Sequence, residues 1–147
     1  PSSCERLRMA DGADDPSVVR PSALPTQEMT ALSSGEALGR VAMLAGALQH
    51  LRVHYERLDP GRRSSRPHHH TAREECVYVV AGEVELLLGG TPRSMEAGDF
   101  VALPAGPPAH ALRNVGDGEA ELLVFSASPG PDEVVYAEDS PVAPSIG

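Results

Sequence analysis

Two histidines and a carboxylate lie within one short span of the chain, between Gly61 and Gly82. His68 and His70 are two positions apart, and residues two apart on a β-strand point to the same face. Glu75 can reach the same ion after a short turn. Imidazole nitrogens and a carboxylate oxygen, with no thiolate, suit a divalent first-row metal such as Fe, Mn, Ni or Zn rather than a structural zinc cage. These residues therefore predict one divalent metal ion.

A fourth candidate ligand lies further along the chain, in the segment from Gly98 to Asn114. There an apolar run of strand length ends at Pro104–Gly106, and the chain then continues to His110. With His110 added, four protein ligands would leave about two positions free on an octahedral ion. Open positions are where a substrate binds, so the pattern favours a reactive site over a closed structural one.

Together, these two segments resemble the paired motifs of the cupin superfamily. The residues that carry the resemblance are, in the first motif, Gly61, His68, His70, Glu75 and Gly82, and in the second, Gly98, Pro104, Gly106, His110 and Asn114. Each motif departs from the family pattern by one extra residue, between Gly61 and His68 and between Gly106 and His110. Loops tolerate such insertions. The resemblance covers roughly Arg20 to Ser126, and its details are similar to small single-domain bacterial cupins.

The resemblance implies a fold, a metal site and a choice of functions. The expected fold is all-β, a cupin double-stranded β-helix (jelly-roll barrel), with the metal at the barrel mouth. The expected function is a metal-dependent small-molecule enzyme, either a dioxygenase or a Lewis-acid isomerase, cyclase or lyase, including enzymes of bacterial specialised metabolism. The alternative is a non-catalytic small-molecule-binding cupin that serves as a sensor or store. Cupins generally pair, so a homodimer is also expected.

Length, charge and cysteine content limit the class of protein. A chain of 147 residues suits one domain. The formal net charge is −9 and every basic residue is an arginine, scattered along the chain, so nucleic acid is not expected as a partner. Cys4 and Cys76 are too few for a disulfide scaffold. No apolar run approaches the length of a membrane span, and we expect a cytoplasmic protein.

The ends of the chain differ from its centre. Residues 1–19 are polar and acidic, too poor in apolar groups to order themselves, and predict a poorly ordered N-terminal arm. Residues 20–127 form the predicted cupin domain. Residues 128–147 are acidic and punctuated by proline, and predict an extension that wraps the barrel or a partner subunit.

The segment before residue 51 carries conflicting local signals. Val18–Arg20 can begin an edge strand. Ser33–Glu36 resembles a helix cap, which predicts a short helix over Ala37–Leu48. Gly39 and Gly46 oppose that helix, because each costs about 1 kcal/mol relative to alanine.

From Leu51 onward, short apolar or alternating runs are separated by turn residues, which indicates an all-β sandwich or barrel. The predicted strands are Leu51–Leu58, Cys76–Val80, Val84–Leu88, Phe100–Leu103, Ala109–Val115 and Leu122–Ser126. Gly89–Gly90 is a hairpin signal. Since only 3% of residues are aromatic, the core must be aliphatic. The core candidates are Leu51, Val53, Leu58, Val77, Val79, Leu86, Leu88, Val101, Leu103, Leu112, Leu122 and Val124.

Three residues are candidates for proton transfer. His54 and Glu56 share strand parity with Leu58, so if Leu58 is buried they line the interior as a histidine–carboxylate pair. The alternative is that His54 is an edge or interface residue. Tyr78 is either a packing residue whose hydroxyl group contacts water or, if it faces the cavity, an acid or base.

Several arginines flank the candidate ligands. Arg62, Arg63 and Arg66 precede His68, and Arg73 follows His70. Such charges usually only solvate a loop. In an otherwise acidic protein they can instead steer or clamp an anionic small-molecule substrate such as a carboxylate.

Overall fold

A computed structural model describes residues 18–137 of the chain. Within that range it contains a single 3-10 turn, Pro21–Ala23, and eleven strands. The strands are β1 (Gln27–Thr30), β2 (Ala37–Met43), β3 (Leu51–Leu58), β4 (His68–His70), β5 (Glu74–Ala81), β6 (Glu83–Leu88), β7 (Thr91–Glu96), β8 (Phe100–Leu103), β9 (His110–Asn114), β10 (Ala120–Ala127) and β11 (Val134–Tyr136). No helix in this range has the length and apolar character that a membrane crossing requires.

The strands form two antiparallel sheets. The first has the order β1-β2-β3-β10-β5-β8, and the second has the order β11-β4-β9-β6-β7. Non-consecutive strands lie side by side in both sheets, as expected for a jelly roll in which the chain crosses repeatedly between layers. The predicted all-β jelly-roll barrel is therefore confirmed.

An aliphatic core fills the space between the sheets. Its buried members are Leu58, Val77, Val79, Val84, Leu86, Met95, Leu103, Leu112, Ala120, Leu122 and Val124, with Leu88 and Val101 partly buried against them. The prediction that Leu51 belongs to the core is wrong, because its side chain is 41% exposed. Leu51 opens β3 opposite Ala127, the last residue of β10, so it lies at the end of an inner strand.

Two local features of the barrel agree with the sequence. Gly89 and Gly90 join β6 to β7 with φ angles of 59° and 82°, the left-handed geometry that a tight hairpin turn needs. Asn114 is 1% exposed, and its side-chain amide donates hydrogen bonds to the carbonyls of Leu58 and Gly118 at 2.8 and 2.7 Å. Asn114 therefore joins the barrel wall to a loop.

The predicted helix over Ala37–Leu48 is wrong. Residues 37–43 form β2, which pairs with β3 in the register Val41 to Glu56. The capping signal is real but local, since Ser34 Oγ accepts a hydrogen bond from the Glu36 N–H at 3.3 Å within a turn. Pairing with the edge of β3 outweighs weak helix propensity, which Gly39 already reduced.

The structure differs from the prediction at the N-terminal side of the domain and shows one strand in the predicted C-terminal extension. The prediction of an edge strand beginning at Val18–Arg20 is wrong, because residues 18–20 have no regular structure and the first strand starts at Gln27. Within the C-terminal extension, β11 pairs antiparallel with β4. Residues 1–17 and 138–147 lie outside the described residues, so the predicted disorder of the N-terminal arm falls mostly there, as does Cys4.

Gly39 makes a close approach that a larger residue would not allow. A Cβ atom at this position would lie 2.6 Å from both Glu56 Oε1 and Leu58 Cδ2. We expect Gly39→Ala to lower the free energy of unfolding by about 1–3 kcal/mol, because buried side chains must shift. Urea denaturation measures this. Gly118→Ala is the control, since nothing lies within 4 Å of its added Cβ. Equal stability of the two variants would contradict the expectation.

Candidate metal centre

The two histidines of the first motif lie on β4, and the Nδ1 atom of each has a protein partner. His68 Nδ1 lies 2.8 Å from the Arg66 carbonyl oxygen, which can only accept, so Nδ1 carries the proton in this pair. His70 Nδ1 lies 2.7 Å from Asp132 Oδ2. In both rings the Nε2 lone pair is then available for a metal ion.

Glu75 brings its carboxylate to these rings from the other sheet. It lies on β5, and its Oε1 atom is 2.7 Å from His70 Nε2, 3.5 Å from His110 Nε2 and 4.0 Å from His68 Nε2. This Oε1 is buried and makes no hydrogen bond of acceptable geometry. Three ring nitrogens around an unpaired carboxylate oxygen are what a metal-ligand set provides, so these residues fit a divalent ion.

His110 joins the site at the start of β9. It stands opposite His68 in the β4–β9 pair, with the two ring centroids 4.7 Å apart, and is 7% exposed. The three residues whose donor atoms all lie within 4.8 Å of one another are His68, His70 and Glu75. His110 lies beside this group. The extra residue after Gly106 therefore does not carry His110 away from the other candidates.

The charge states of the site favour metal ligation. Burial lowers the pKa of His68, and the neighbouring His110 and His70 lower it further. The Arg66 carbonyl and Glu75 act in the opposite direction, but the pKa stays below its ordinary value. Burial alone would raise the pKa of Glu75, but the three imidazoles outweigh it and lower that pKa below its ordinary value. Neutral imidazole and ionised carboxylate are the forms that bind a metal.

Asp132 is a site residue that the sequence did not reveal. Its Oδ1 atom accepts hydrogen bonds from the backbone N–H groups of Ala72 and Arg73, both at 2.8 Å, while Oδ2 meets His70. Burial opposes its ionisation, yet these hydrogen bonds prevail and lower the pKa of Asp132. A single aspartate between Pro131 and Glu133 carries no periodic signal and belongs to neither motif.

A cavity of about 170 Å³ opens beside the candidate ligands. Its lining comprises His54, Glu56, Ser64, Ser65, His68, Glu75, Val77, Leu103, His110, Leu112 and Val124. A second, largely apolar cavity of about 440 Å³ shares Ser64 and Ser65 with the first. Its walls include β1 residues, Arg66 and Tyr136.

The structure brings His54 and Glu56 together in the wall of the smaller cavity, as strand parity predicted. His54 Nε2 lies 3.4 Å from Glu56 Oε2. Glu56 is 4% exposed and its Oε1 atom has no hydrogen-bond partner. Burial raises the pKa of Glu56. His54 lowers this pKa and the Glu75 charge raises it, and the pKa stays above its ordinary value. The His54 side chain is 26% exposed, so His54 lies between the buried Glu56 carboxyl group and solvent.

Tyr78 does not lie in the cavity. Its neighbours on β5, Val77 and Val79, are buried, whereas Tyr78 is 40% exposed. Alternate residues of a strand face opposite sides, so Tyr78 belongs to the outer face of the sheet. The prediction of Tyr78 as a cavity-facing acid or base is corrected accordingly.

The arginines around the first motif have other partners, and none of the four lines the smaller cavity within the described range 18–137. Arg62 donates to the Ala37 carbonyl at 3.1 Å, and Arg63 makes two hydrogen bonds to the Glu36 carboxylate. The Arg66 guanidinium lies over the Tyr136 ring at 4.9 Å.

Arg73 lies at the turn before β5. Its Nη1 atom donates to Ser126 Oγ at 3.2 Å, and its Nε atom is 3.5 Å from Asp132 Oδ2. Arg73 therefore faces the C-terminal segment. Among the predicted steering arginines, Arg66 lines the larger cavity, whereas Arg62 and Arg63 line neither of these two cavities.

Comparisons with known proteins agree with this geometry. Residues 54–126 match the family model of the cupin domain. Polyketide synthase CurC from Streptomyces cyaneus is 43% identical over 70 residues, which are 48% of this chain and 44% of that protein. The match thus spans less than half of that relative.

Two solved structures share the fold. A sugar phosphate isomerase of the cupin superfamily from Silicibacter pomeroyi DSS-3 is 32% identical, with a TM-score of 0.64, covering 68% of this chain and 66% of that one. The polyketide cyclase RemF from Streptomyces resistomycificus is 19% identical, with a TM-score of 0.63, covering 84% of this chain and 88% of that one. Both motifs lie on one jelly-roll barrel, and together with these matches this shows that the chain belongs to the cupin superfamily.

Proposed function

We propose that this chain is a metal-dependent enzyme that acts on a small molecule in the cavity between its sheets. His68, His70 and Glu75 would hold the ion, with His110 as the fourth ligand. The observation that carries the proposal is that His68, Glu75 and His110 line one cavity with the His54–Glu56 pair, while His70 Nε2 reaches the same Glu75 oxygen at 2.7 Å. When bound, a divalent ion supplies Lewis acidity to a substrate carbonyl oxygen.

Glu56 would exchange a proton with the substrate. Its carboxyl group is buried, and burial raises its pKa, so it holds a proton at a higher pH than an exposed glutamate does. His54, 3.4 Å away and partly exposed, would return that proton to solvent or take it up again. An acid or base beside a polarised carbonyl is what isomerisation, cyclisation and elimination each require.

The comparisons support the same class of reaction. The curated relative is named a polyketide synthase, and the two solved structures are named a sugar phosphate isomerase and a polyketide cyclase. The first two exceed 30% identity, and the two solved structures are named for isomerase and cyclase activities. We therefore propose Lewis-acid isomerase, cyclase or lyase chemistry ahead of a dioxygenase.

The proposal is tested by proton exchange next to a carbonyl group. The protein is loaded with Zn²⁺, Ni²⁺, Mn²⁺ or Fe²⁺ and incubated in D2O with two probes, a sugar phosphate and a β-diketone, while NMR follows deuterium uptake. We expect metal-dependent exchange in the wild type. Glu56→Gln should slow it by about 100-fold, because positioned acid–base groups contribute at least that much, with metal content unchanged.

Glu28→Gln is the matched control, because Glu28 is an exposed carboxylate on β1; it should exchange as the wild type does. Equal exchange by Glu56→Gln would remove the proton-transfer role. Oxygen consumption by the iron form without exchange would replace the proposal with a dioxygenase. Ligand binding without turnover under any metal would replace it with a binding protein.

A further inference from the structure

We infer that the C-terminal segment 130–136 is part of the metal centre and that Asp132 is the positioning residue for His70. The inference rests on the metal site proposed above and extends it to a part of the chain beyond the cupin-domain match, which ends at residue 126. The observation behind it is the contact between Asp132 Oδ2 and His70 Nδ1 at 2.7 Å.

The carboxylate of Asp132 is itself held in place. Its Oδ1 atom accepts hydrogen bonds of 2.8 Å from the backbone N–H groups of Ala72 and Arg73, which lie in the turn between β4 and β5. The side chains of His70 and Asp132 are only 12% and 9% exposed, so water competes little for this hydrogen bond. Asp132 therefore connects the His70 ring to the turn that leads into Glu75.

Strand β11 delivers Asp132 to this position. It pairs with β4 in the register Val134 to His70 and Tyr136 to His68. Thr71 and Glu133 extend the pairing through two hydrogen bonds of 2.9 Å, one from the Thr71 N–H to the Glu133 carbonyl and one from the Glu133 N–H to Thr71 Oγ1. The segment thus covers the whole outer edge of the strand that carries both histidines.

The chemical consequence concerns the tautomer of His70. An ionised carboxylate accepts a hydrogen bond but donates none, so it keeps the ring proton on Nδ1. Nε2 is then the ring atom left for the metal ion, beside Glu75 Oε1 at 2.7 Å. Such outer partners of metal-binding histidines typically change metal affinity by about 10–100-fold, and the same change is expected here.

Asp132→Asn separates this role from general structure. The asparagine oxygen can still accept from Ala72 and Arg73, but its NH2 group would then face His70 Nδ1. That nitrogen must become the acceptor, so the proton moves to Nε2 and blocks ligation. We expect zinc affinity, measured by competition with a chelator, to fall by about 10–100-fold. The control is Asp99→Asn, because Asp99 also accepts a backbone N–H, from Glu96 at 2.8 Å, but does not line the smaller cavity; it should bind zinc as the wild type does.

A second measurement needs no metal. Nitrogen-15 NMR of the metal-free wild-type protein reports which ring nitrogen of His70 carries the proton. We expect Nδ1 to carry a proton in the wild type and to be unprotonated in Asp132→Asn, whatever the state of Nε2 beside Glu75. An unprotonated Nδ1 in the wild type, or equal zinc affinity of wild type and Asp132→Asn, would overturn the inference. If the wild type binds no zinc, the proposed metal site fails, and the ring-nitrogen spectrum still decides whether Asp132 sets the tautomer.

Discussion

Replacing His70 by alanine is expected to abolish stoichiometric metal binding while the barrel stays folded. His70 Nε2 makes the shortest approach to Glu75 in the cluster, 2.7 Å. Loss of an outer partner of a ligand already costs about 10–100-fold in affinity, so loss of the ligand itself should exceed about 100-fold. Elemental analysis after reconstitution with Zn²⁺ measures the metal content, and circular dichroism checks the fold.

His69→Ala is the control for this prediction. His69 lies between the two candidate ligands on β4 and pairs with Val135, and by strand alternation its ring faces the opposite side. It should retain one metal ion per chain. Full metal content in His70→Ala, or equal loss in both variants, would show that β4 does not hold the ion as proposed.

The largest expected effect on stability follows from Leu122→Ala, about 2–5 kcal/mol in the free energy of unfolding. Leu122 is fully buried on β10, opposite Glu56 of β3 and Val79 of β5. Truncation removes contacts at the centre of the core, where strands on both sides limit how far the space can collapse. Urea denaturation with a global probe measures the change.

Leu123→Ala provides the matched comparison on the same strand. Leu123 is partly buried on the other face of β10, in register with Tyr55 and Tyr78. Its loss should cost about 1 kcal/mol, the typical cost of a substitution that leaves no core cavity. Equal destabilisation by the two variants would contradict the assignment of the core to the inner face.

Short-range patterns in the sequence predicted much of this molecule. The parity of His68 and His70, and of His54 and Glu56, placed each pair on the inner side of a strand, because alternation depends only on neighbouring residues. Strands such as Phe100–Leu103 were predicted with the bounds the structure has. The period of two is a property of the backbone, so no knowledge of distant contacts was needed.

Long-range contacts explain what the sequence did not show. The helix predicted after Ser33–Glu36 was wrong because residues 37–43 pair with β3, and no local signal reports a partner strand. Asp132 was missed because 62 positions separate it from His70. Tyr78 and Leu51 were misplaced for a related reason, since the exposure of a residue on the outer face of a sheet or at the end of a strand depends on what packs against it.

The position of β10 in the larger sheet constrains how a nascent chain can mature. Strand β10 lies between β3 and β5, yet it is made long after both of them. Until residues 120–127 leave the ribosome, those two strands lack their common neighbour, and the inner face of β5 is more exposed to solvent than in the folded barrel. Topologies built from such distant pairings close slowly, in about milliseconds to seconds. Until then the aliphatic core residues of β3 and β5 lack their β10 neighbours, and transiently exposed apolar surface of this kind favours aggregation.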